Sequence, residues 1–347
     1  MDKKKLTRLM IDTVVSKGIE NMADDPKRTI RKLADMGQQV STGRFQEDII
    51  DIIQTILADD NSPYYTMLQN FLDNTDHDTI RTFGINMGYN SWTYDARILR
   101  SKSEELGVYL PWILIFRFDA DSDKGTTPVF IKKAIEQALS YGINSFCIMQ
   151  KGGLIASDEL IEMFKEYEEC GFFYFLEDSE ITAGQLSAIK ECKNVLLSIN
   201  ADEPQSGNTS KLLHDAKIMY SIHHFYDDND FAYVDSIDAN SESLKKYFDY
   251  KTGMIFLLPK DGCANHGDIV KQIRLEGKFP CFLWDLYHDS SLVSKHLVGQ
   301  DNVFIEFDAD GFVLKPSCED ANLNITKMPL IEIIRYVMPD FSCALQD

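Results

Sequence analysis

The sequence predicts an α/β protein in which an all-helical N-terminal segment precedes a parallel β/α barrel, whole or partial. Three observations carry that expectation. Up to about Leu106, apolar residues recur at the three-to-four spacing of a helix face. From Leu110-Pro111 onward, continuous apolar runs of strand length alternate with helical stretches, the grammar of buried parallel strands joined by crossover helices. The chain has 347 residues, of which 44% are hydrophobic, enough for one large or two ordinary domains with a real core.

The elements follow in order. Leu6, Leu9, Met10 and Val14 keep helical spacing, and Asp25-Pro26 places a capping carboxylate before a proline at the first helical position, ahead of Ile30, Leu33 and Ala34. Phe45, Ile49, Ile52, Ile53 and Ile56 repeat the pattern. After Asn61-Ser62-Pro63 a helix carries Tyr64, Leu68, Phe71 and Leu72, and beyond the break at 75–78 another carries Ile80 and Phe83. Strands are expected near 113–118, 145–149, 172–176, 195–199, 218–222, 254–258 and 281–284, with helices such as 130–140 and 159–167 between them. A hairpin, 303–307 into 312–314 through Asp308-Ala309-Asp310-Gly311, breaks the alternation. The expected domains are 1–106 (helical segment), 107–299 (partial barrel) and 300–347 (C-terminal hairpin and helix).

Composition limits the function. Lysine and arginine total 35 against 55 aspartates and glutamates, a formal charge of −20 that repels phosphate backbones and anionic membranes. Neither a nucleic acid nor a membrane is therefore an expected partner. The basic start Lys3-Lys4-Lys5 is followed by Arg8, Asp12 and Lys17, so it lacks the apolar stretch of a signal peptide. No run approaches the roughly 20 apolar residues of a membrane span. Seven cysteines without a close CxxC pair argue against a disulfide framework and a zinc ribbon, and a reducing cytoplasm is the expected location.

In parallel barrels, chemistry sits on loops after the carboxyl ends of the strands. Those loops are expected to carry Asp119, Asp121 and Asp123 after the first strand, Glu177 and Asp178 after the third, and Asp202 and Glu203 after the fourth. His223, His224, Asp227, Asp228 and Asp230 are expected after the fifth, Asp261, Cys263, His266 and Asp268 after the sixth, and Asp285, His288 and Asp289 after the seventh. Two readings compete. Either these acids are ordinary solvated loop charges, or the mouth focuses a negative potential and receives a cationic ligand on His223, His224, Asp227, Asp228, Asp230 and Asp285. Cys263, His266 and His288 offer soft and borderline donors for a metal, with Asp285 and His223 as neighbours that could converge on them. No Gly-x-Ser-x-Gly elbow and no phosphate-binding Gly-x-x-x-x-Gly-Lys loop is present.

The order of these features resembles that of radical S-adenosylmethionine (radical SAM) proteins that carry a helical segment before the barrel and a SPASM or twitch-like extension after it. The likeness rests on Asp24-Asp25-Pro26-Lys27, Asp60-Asn61-Ser62-Pro63-Tyr64-Tyr65, residues 76–83 and Leu110-Pro111-Trp112-Ile113-Leu114. It continues through residues 157–163, Val195-Leu196-Leu197-Ser198-Ile199 and Phe307-Asp308-Ala309-Asp310-Gly311. The resemblance implies a partial barrel of radical SAM type, a [4Fe-4S] cluster on a Cys-x-x-x-Cys-x-x-Cys loop after the first strand, and a Gly-Gly-Glu-Pro segment after the second. This chain departs from both. The first loop reads Phe118-Asp119-Ala120-Asp121-Ser122-Asp123-Lys124-Gly125-Thr126-Thr127, without cysteine, and the second reads Gln150-Lys151-Gly152-Gly153-Leu154-Ile155, without glutamate. Cys318 stands two residues beyond the family's auxiliary-cluster position, while Cys147, Cys170, Cys192 and Cys281 read as buried thiols.

The resulting expectation is a radical-SAM-like barrel that has lost its cluster and serves as a non-catalytic binding or partner protein. Its partner would be a cationic ligand, a peptide or a cluster-bearing relative. The expected cofactor is none, the alternative being S-adenosylmethionine with an iron-sulfur cluster, or a divalent metal. The competing class is an enzyme, either a radical SAM enzyme with unconventional ligands or a metal-dependent barrel hydrolase or lyase.

Overall fold

The computed structural model describes residues 3–21, 27–32, 35, 53–122, 124–152, 158–177, 180–231, 244–277, 279–317 and 322–341. The expected helix start at Asp25-Pro26, and Asp123, Gly153, Asp178, Cys318 and Cys343, lie outside these residues. In chain order the helical elements before the barrel are α1 (Lys3–Asn21), α2 (Pro63–Asp73), α3 (His77–Ile85), a π-helical stretch (Asn86–Asp95) and α4 (Ala96–Leu106). The alternating part comprises β1 (Ile113–Asp119), α5 (Pro128–Leu139), β2 (Ser145–Lys151), α6 (Asp158–Glu166), β3 (Gly171–Leu176), α7 (Ala183–Glu191) and β4 (Val195–Asn200). It continues with α8 (Ser206–Asp215), β5 (Tyr220–Tyr226), a 3₁₀ turn (Lys245–Tyr250), β6 (Met254–Pro259), α9 (Gly267–Glu276), β7 (Phe282–Asp285) and α10 (Leu286–Val298). β8 (Ile305–Phe307), β9 (Val313–Lys315) and α11 (Leu330–Val337) follow.

Among the described residues, nine strands lie in one sheet in the order β7-β6-β5-β4-β3-β2-β1-β8-β9. β1 pairs in parallel with β2 and β8, β2 with β3, β5 with β6 and β6 with β7, whereas β8 and β9 are antiparallel. This is a mixed α/β fold, a mostly parallel partial barrel behind a helical segment. The terminal hairpin does more than break the alternation, because its first strand extends the parallel sheet beside β1. No helix among the described residues is long and apolar enough to cross a membrane.

The chain forms two compact units, one of Met1–Arg81 with Ser198–Asp289 and the other of Thr82–Leu197 with Ser290–Asp347. In the second unit the apolar run at Ile113–Phe116 is fully enclosed, as are Phe146, Cys147, Ile148, Phe172 and Tyr174, so β1 to β3 are covered on both faces. Ile131, Ala134, Ile135 and Ala138 of α5 and Leu160, Met163 and Phe164 of α6 supply the cover at helical spacing. The π-helical stretch places polar Asn86, Asn90, Ser91 and Asp95 on one buried face. There Asn86 donates to the Glu168 and Cys170 carbonyls, Asn90 to the Glu169 carbonyl, and Asn144 to Asp95. The wide turn thus lets the Asn86 and Asn90 amide groups and the Asp95 carboxylate each meet a partner, as burial demands.

In the first unit, Ile19, Ile30, Leu57, Tyr64, Tyr65, Met67 and Leu72 form a core against which Phe282 of β7 packs. The Tyr64 hydroxyl donates to the Arg274 carbonyl at 2.7 Å. Arg274 in turn donates to both carboxylate oxygens of Asp289 at 2.8 Å and to the Leu283 carbonyl at 2.7 Å.

The largest departure from the expected strand boundaries is at the fifth strand. Ile218 and Met219 are apolar enough to read as strand, yet Lys217 takes a left-handed conformation (φ 58°) and the Ile218 N–H closes the end of α8 on the Leu213 carbonyl. β5 therefore begins at Tyr220 and runs to Tyr226. His223 and His224, expected in the loop after this strand, lie inside it.

Candidate functional site

Because successive strand residues face opposite ways, β5 separates its two histidines. His223 is fully buried, with Nδ1 3.1 Å from the Ser198 hydroxyl of β4 and its ring edge-on to Phe225. Burial pushes its imidazole down to about 3, against the opposing pull of Asp202. It is a neutral core group and is not offered to a ligand. His224 and Tyr226 share the other face, toward the acids of the following loops.

His224 is held between two carboxylates. Its Nδ1 lies 2.8 Å from both oxygens of Asp202 and its Nε2 lies 3.2 Å from Asp230 Oδ2, with the side chain only 6% exposed. The Tyr247 ring packs beside it at 5.2 Å. Partial burial works to raise the Asp202 carboxyl, but the hydrogen bond and charge of His224 hold it below the usual carboxylate range.

The three aspartates of the β5 loop each have a different partner. Asp227 meets Lys260 at 3.0 Å, which lowers its carboxyl, and Asp230 accepts the Asp227 N–H as well as facing His224. Asp228 is where Cys263 and His266, from the loop after β6, converge. Cys263 Sγ lies 3.2 Å and His266 Nε2 2.9 Å from Asp228 Oδ1, and the Ala264 N–H donates to the same oxygen at 3.2 Å. These contacts hold the Asp228 carboxyl low, His266 contributing most. The Cys263 thiol is pushed up to about 11, by desolvation first and by the adjoining Asp228 carboxylate next. Among the described residues, Asp228, Cys263 and His266 form the one group of three or more potential ligands, with donor atoms all within 4.8 Å of one another.

Beneath this group runs a buried polar chain. The His266 N–H donates to the Tyr226 hydroxyl, which donates to Asp285 Oδ2 at 2.8 Å, and the His288 N–H donates to Asp285 Oδ1 at 2.8 Å. The Asp285 N–H donates to Asp289 Oδ2. Burial raises the Asp285 carboxyl despite those donors. Asp285 is fully buried and closes the seventh strand. His288 is not brought to Cys263 and His266; its Nε2 lies 3.7 Å from Asp268, and its Cβ abuts Gly267, where an added Cβ would come within 2.2 Å. Sequence reasoning missed Tyr226 and the Arg274–Asp289 pair. The first had a signal in the period of two from His224, while the second joins α9 to α10 and leaves no local pattern.

The β1 and β2 loops are built differently. Asp119 accepts the Asp121 N–H at 3.0 Å, and Gly152, at φ +65°, is approached so closely that an added Cβ would lie 2.4 Å from Asp121 Oδ2. Gly125 packs against the hairpin turn, a Cβ there meeting the Ala309 carbonyl oxygen at 2.0 Å. The donors are carboxylate and hydroxyl oxygens, with no sulfur from 119 to 127. Cys147, Cys170, Cys192 and Cys281 are buried and unbridged.

No family model matches the chain. No curated protein matches it either. Among solved structures, the crystal structure of Streptococcus suis SuiB bound to S-adenosylmethionine matches with a TM-score of 0.50 and 11% identity over 70% of this chain and 68% of that one. A crystal structure of Streptococcus suis SuiB gives a TM-score of 0.46 at 12% identity over 70% of each chain. That of SuiB bound to precursor peptide SuiA gives 0.48 at 10% identity over 70% of this chain and 69% of that one. At such identity the likeness concerns the fold, which is radical-SAM-like, as the sequence resemblance implied. It also corrects one expectation. The first of these matched barrels is bound to S-adenosylmethionine, so the reading of a barrel without any cofactor is withdrawn.

Proposed function

We propose that this chain is a binding protein of radical-SAM-like fold that receives a cationic ligand, in macromolecular form a lysine-rich peptide segment, on the loops after β4, β5 and β6. The observation that carries the reading is the excess of fixed negative charge there. The carboxylates of Asp202, Asp227, Asp228 and Asp230 are met by two lysines, Lys260 at Asp227 and Lys246 near Asp202, and by two imidazoles, His224 between Asp202 and Asp230 and His266 at Asp228. A cation would relieve the remaining mutual repulsion and gain its own Coulomb term.

The β1 loop supports binding over radical chemistry at that position. An iron-sulfur cluster needs thiolates, and carboxylates and hydroxyls are poor substitutes for them. The loop is not a three-thiolate site, and no step is assigned to a cluster there. Anaerobic iron analysis addresses this part: about four irons per chain with thiolate-to-iron absorption would overturn it.

The ligand is tested by calorimetry with a lysine-rich peptide on wild type and on the triple variant Asp227→Asn, Asp228→Asn, Asp230→Asn. Wild type is expected to bind, and the variant to bind about tenfold more weakly or worse. Affinity should fall as the screening length shortens from about 8 Å at 0.15 M salt to about 3 Å at 1 M. Equal affinities, or binding insensitive to salt, would return the acids to ordinary solvated surface.

A further inference from the structure

Asp228, Cys263 and His266 are joined by more than their negative surroundings. We propose that they form a three-donor site for a borderline divalent cation of the Zn²⁺ class, with a fourth position open to solvent. The inference rests on the cationic-ligand reading of these loops and names the ion that one part of them takes.

The donor types select the ion. A thiolate, an imidazole and a carboxylate suit zinc-like ions, whereas Mg²⁺ and Ca²⁺ call for oxygen ligands throughout. The spacing selects it too. In a tetrahedral Zn²⁺ site with Zn–S near 2.3 Å and Zn–N or Zn–O near 2.0–2.2 Å, neighbouring donors stand about 3.3–3.6 Å apart. Here His266 Nε2 and Cys263 Sγ stand 2.9 and 3.2 Å from Asp228 Oδ1, with all three atoms within 4.8 Å. Opening the two Asp228 contacts by a few tenths of an ångström brings them to that spacing.

The site is held in place before any ion arrives. Asp228 follows β5 and Cys263 follows β6, and the parallel pairing of those strands, Tyr226 opposite Pro259, brings the two loops side by side. The Ala264 N–H donates to Asp228, and the Asn265 side chain accepts the Gly267 N–H, which fixes the turn between Cys263 and His266. The His266 main chain is pinned through its N–H to the Tyr226 hydroxyl and on to Asp285, and its ring packs on Tyr226 and Phe231 at 5.9 and 5.2 Å. Such outer partners orient a metal-ligating histidine and tune its affinity. Access is also provided, since the Asp228 side chain is 64% exposed while His266 is 14% exposed. Neighbouring Asp227 and Asp230 are engaged by Lys260 and His224, so they add negative potential without competing as ligands.

The test uses the full chain, stripped with a chelator and dialysed, then titrated with Zn²⁺ and separately with Co²⁺. One Zn²⁺ per chain is expected, and the Co²⁺ form should show thiolate-to-cobalt charge-transfer absorption that Cys263→Ser abolishes. His266→Ala and Asp228→Asn should each weaken Zn²⁺ binding by about tenfold or more, while Cys281→Ser, a buried thiol remote in sequence, should leave it unchanged. Circular dichroism on each variant reports folding, and the mild Asp228→Asn change keeps the test open if His266→Ala does not fold. No retained Zn²⁺, or a charge-transfer band and stoichiometry unaltered by Cys263→Ser, would overturn the assignment. The peptide titration is run with and without Zn²⁺. Peptide bound by a chain that takes no Zn²⁺ sinks the metal site alone, and Zn²⁺ bound by a chain that takes no peptide sinks the peptide reading alone.

Discussion

The loops after β1 and β2 and those after β5 and β6 each follow a pair of parallel strands, yet they differ in chemistry. The first pair offers oxygen donors and tight glycine contacts, with Asp121 pressed against Gly152. Residues 107–197 contain no histidine at all, and their three cysteines are buried. The second pair gathers His224, His266 and the partly exposed Cys263 among four aspartates. The exposed soft and imidazole donors of this chain therefore stand at a position other than the one its sequence resemblance singles out. Architecture locates a mouth, and the residues decide which part of it can do chemistry.

The sharpest way to break this comparison is to undermine the β5 to β7 side alone. Arg274→Met leaves the Asp289 carboxylate buried without its cation and should cost about 3–5 kcal/mol in urea unfolding. Hydrogen exchange should show β5 to β7 losing protection before β1 to β3. Uniform loss across all strands would show that the two regions do not differ in what supports them.

Acid provides a second contrast, because the buried imidazole lies on one side only. Folding lowers the His223 imidazole to about 3, so the unfolded chain takes up a proton below about pH 6.5 that the folded chain refuses. Stability should fall as the pH drops from 6.5 toward 3, by about 2 kcal/mol at pH 5. Asp285, raised by burial, acts with the opposite sign. The slope is therefore assigned by comparing urea midpoints at pH 7 and 5 for wild type and His223→Asn, where the variant should be flatter. Identical slopes would remove His223 from the account.

The smallest effect compares two glycines. Gly152→Ala keeps a positive φ and meets only the movable end of Asp121, a cost of about 1 kcal/mol. Gly267→Ala meets the Cβ of His288, which cannot swing aside, and should cost about 1–3 kcal/mol. Thermal unfolding of the two variants measures the difference. Equal shifts would mean that the β6 loop is no more tightly built than the β2 loop.

How much of this was legible depends on range. The run Trp112-Ile113-Leu114-Ile115-Phe116 announced a buried parallel strand because nothing polar interrupts it, and strand β1 begins at Ile113. Ile218 and Met219 gave a false strand start, because a left-handed Lys217 is invisible in an apolar pattern. Asn86 and Asn90 carry no apolar signal, and only the carbonyls they serve, up to 84 positions away, explain their burial. In the candidate site, Cys263 and His266 were recognisable by donor type within four residues. Asp228 joins them only through the β5–β6 pairing, and His288 is turned away by its contact with Gly267. Donor chemistry is written locally, whereas convergence is a property of strand order.

The hydrogen bond from Tyr64 to Arg274 joins residues 210 positions apart. At roughly 5–20 residues per second, the ribosome exposes Tyr64 about 10 to 40 s before its acceptor exists. Throughout that interval the apolar face of Tyr64, Tyr65, Met67 and Leu72 waits without Phe282 to pack on it. The growing polypeptide thus carries a sticky patch through most of its own synthesis, and the translation rate downstream of residue 72 sets how long a chaperone has to find it.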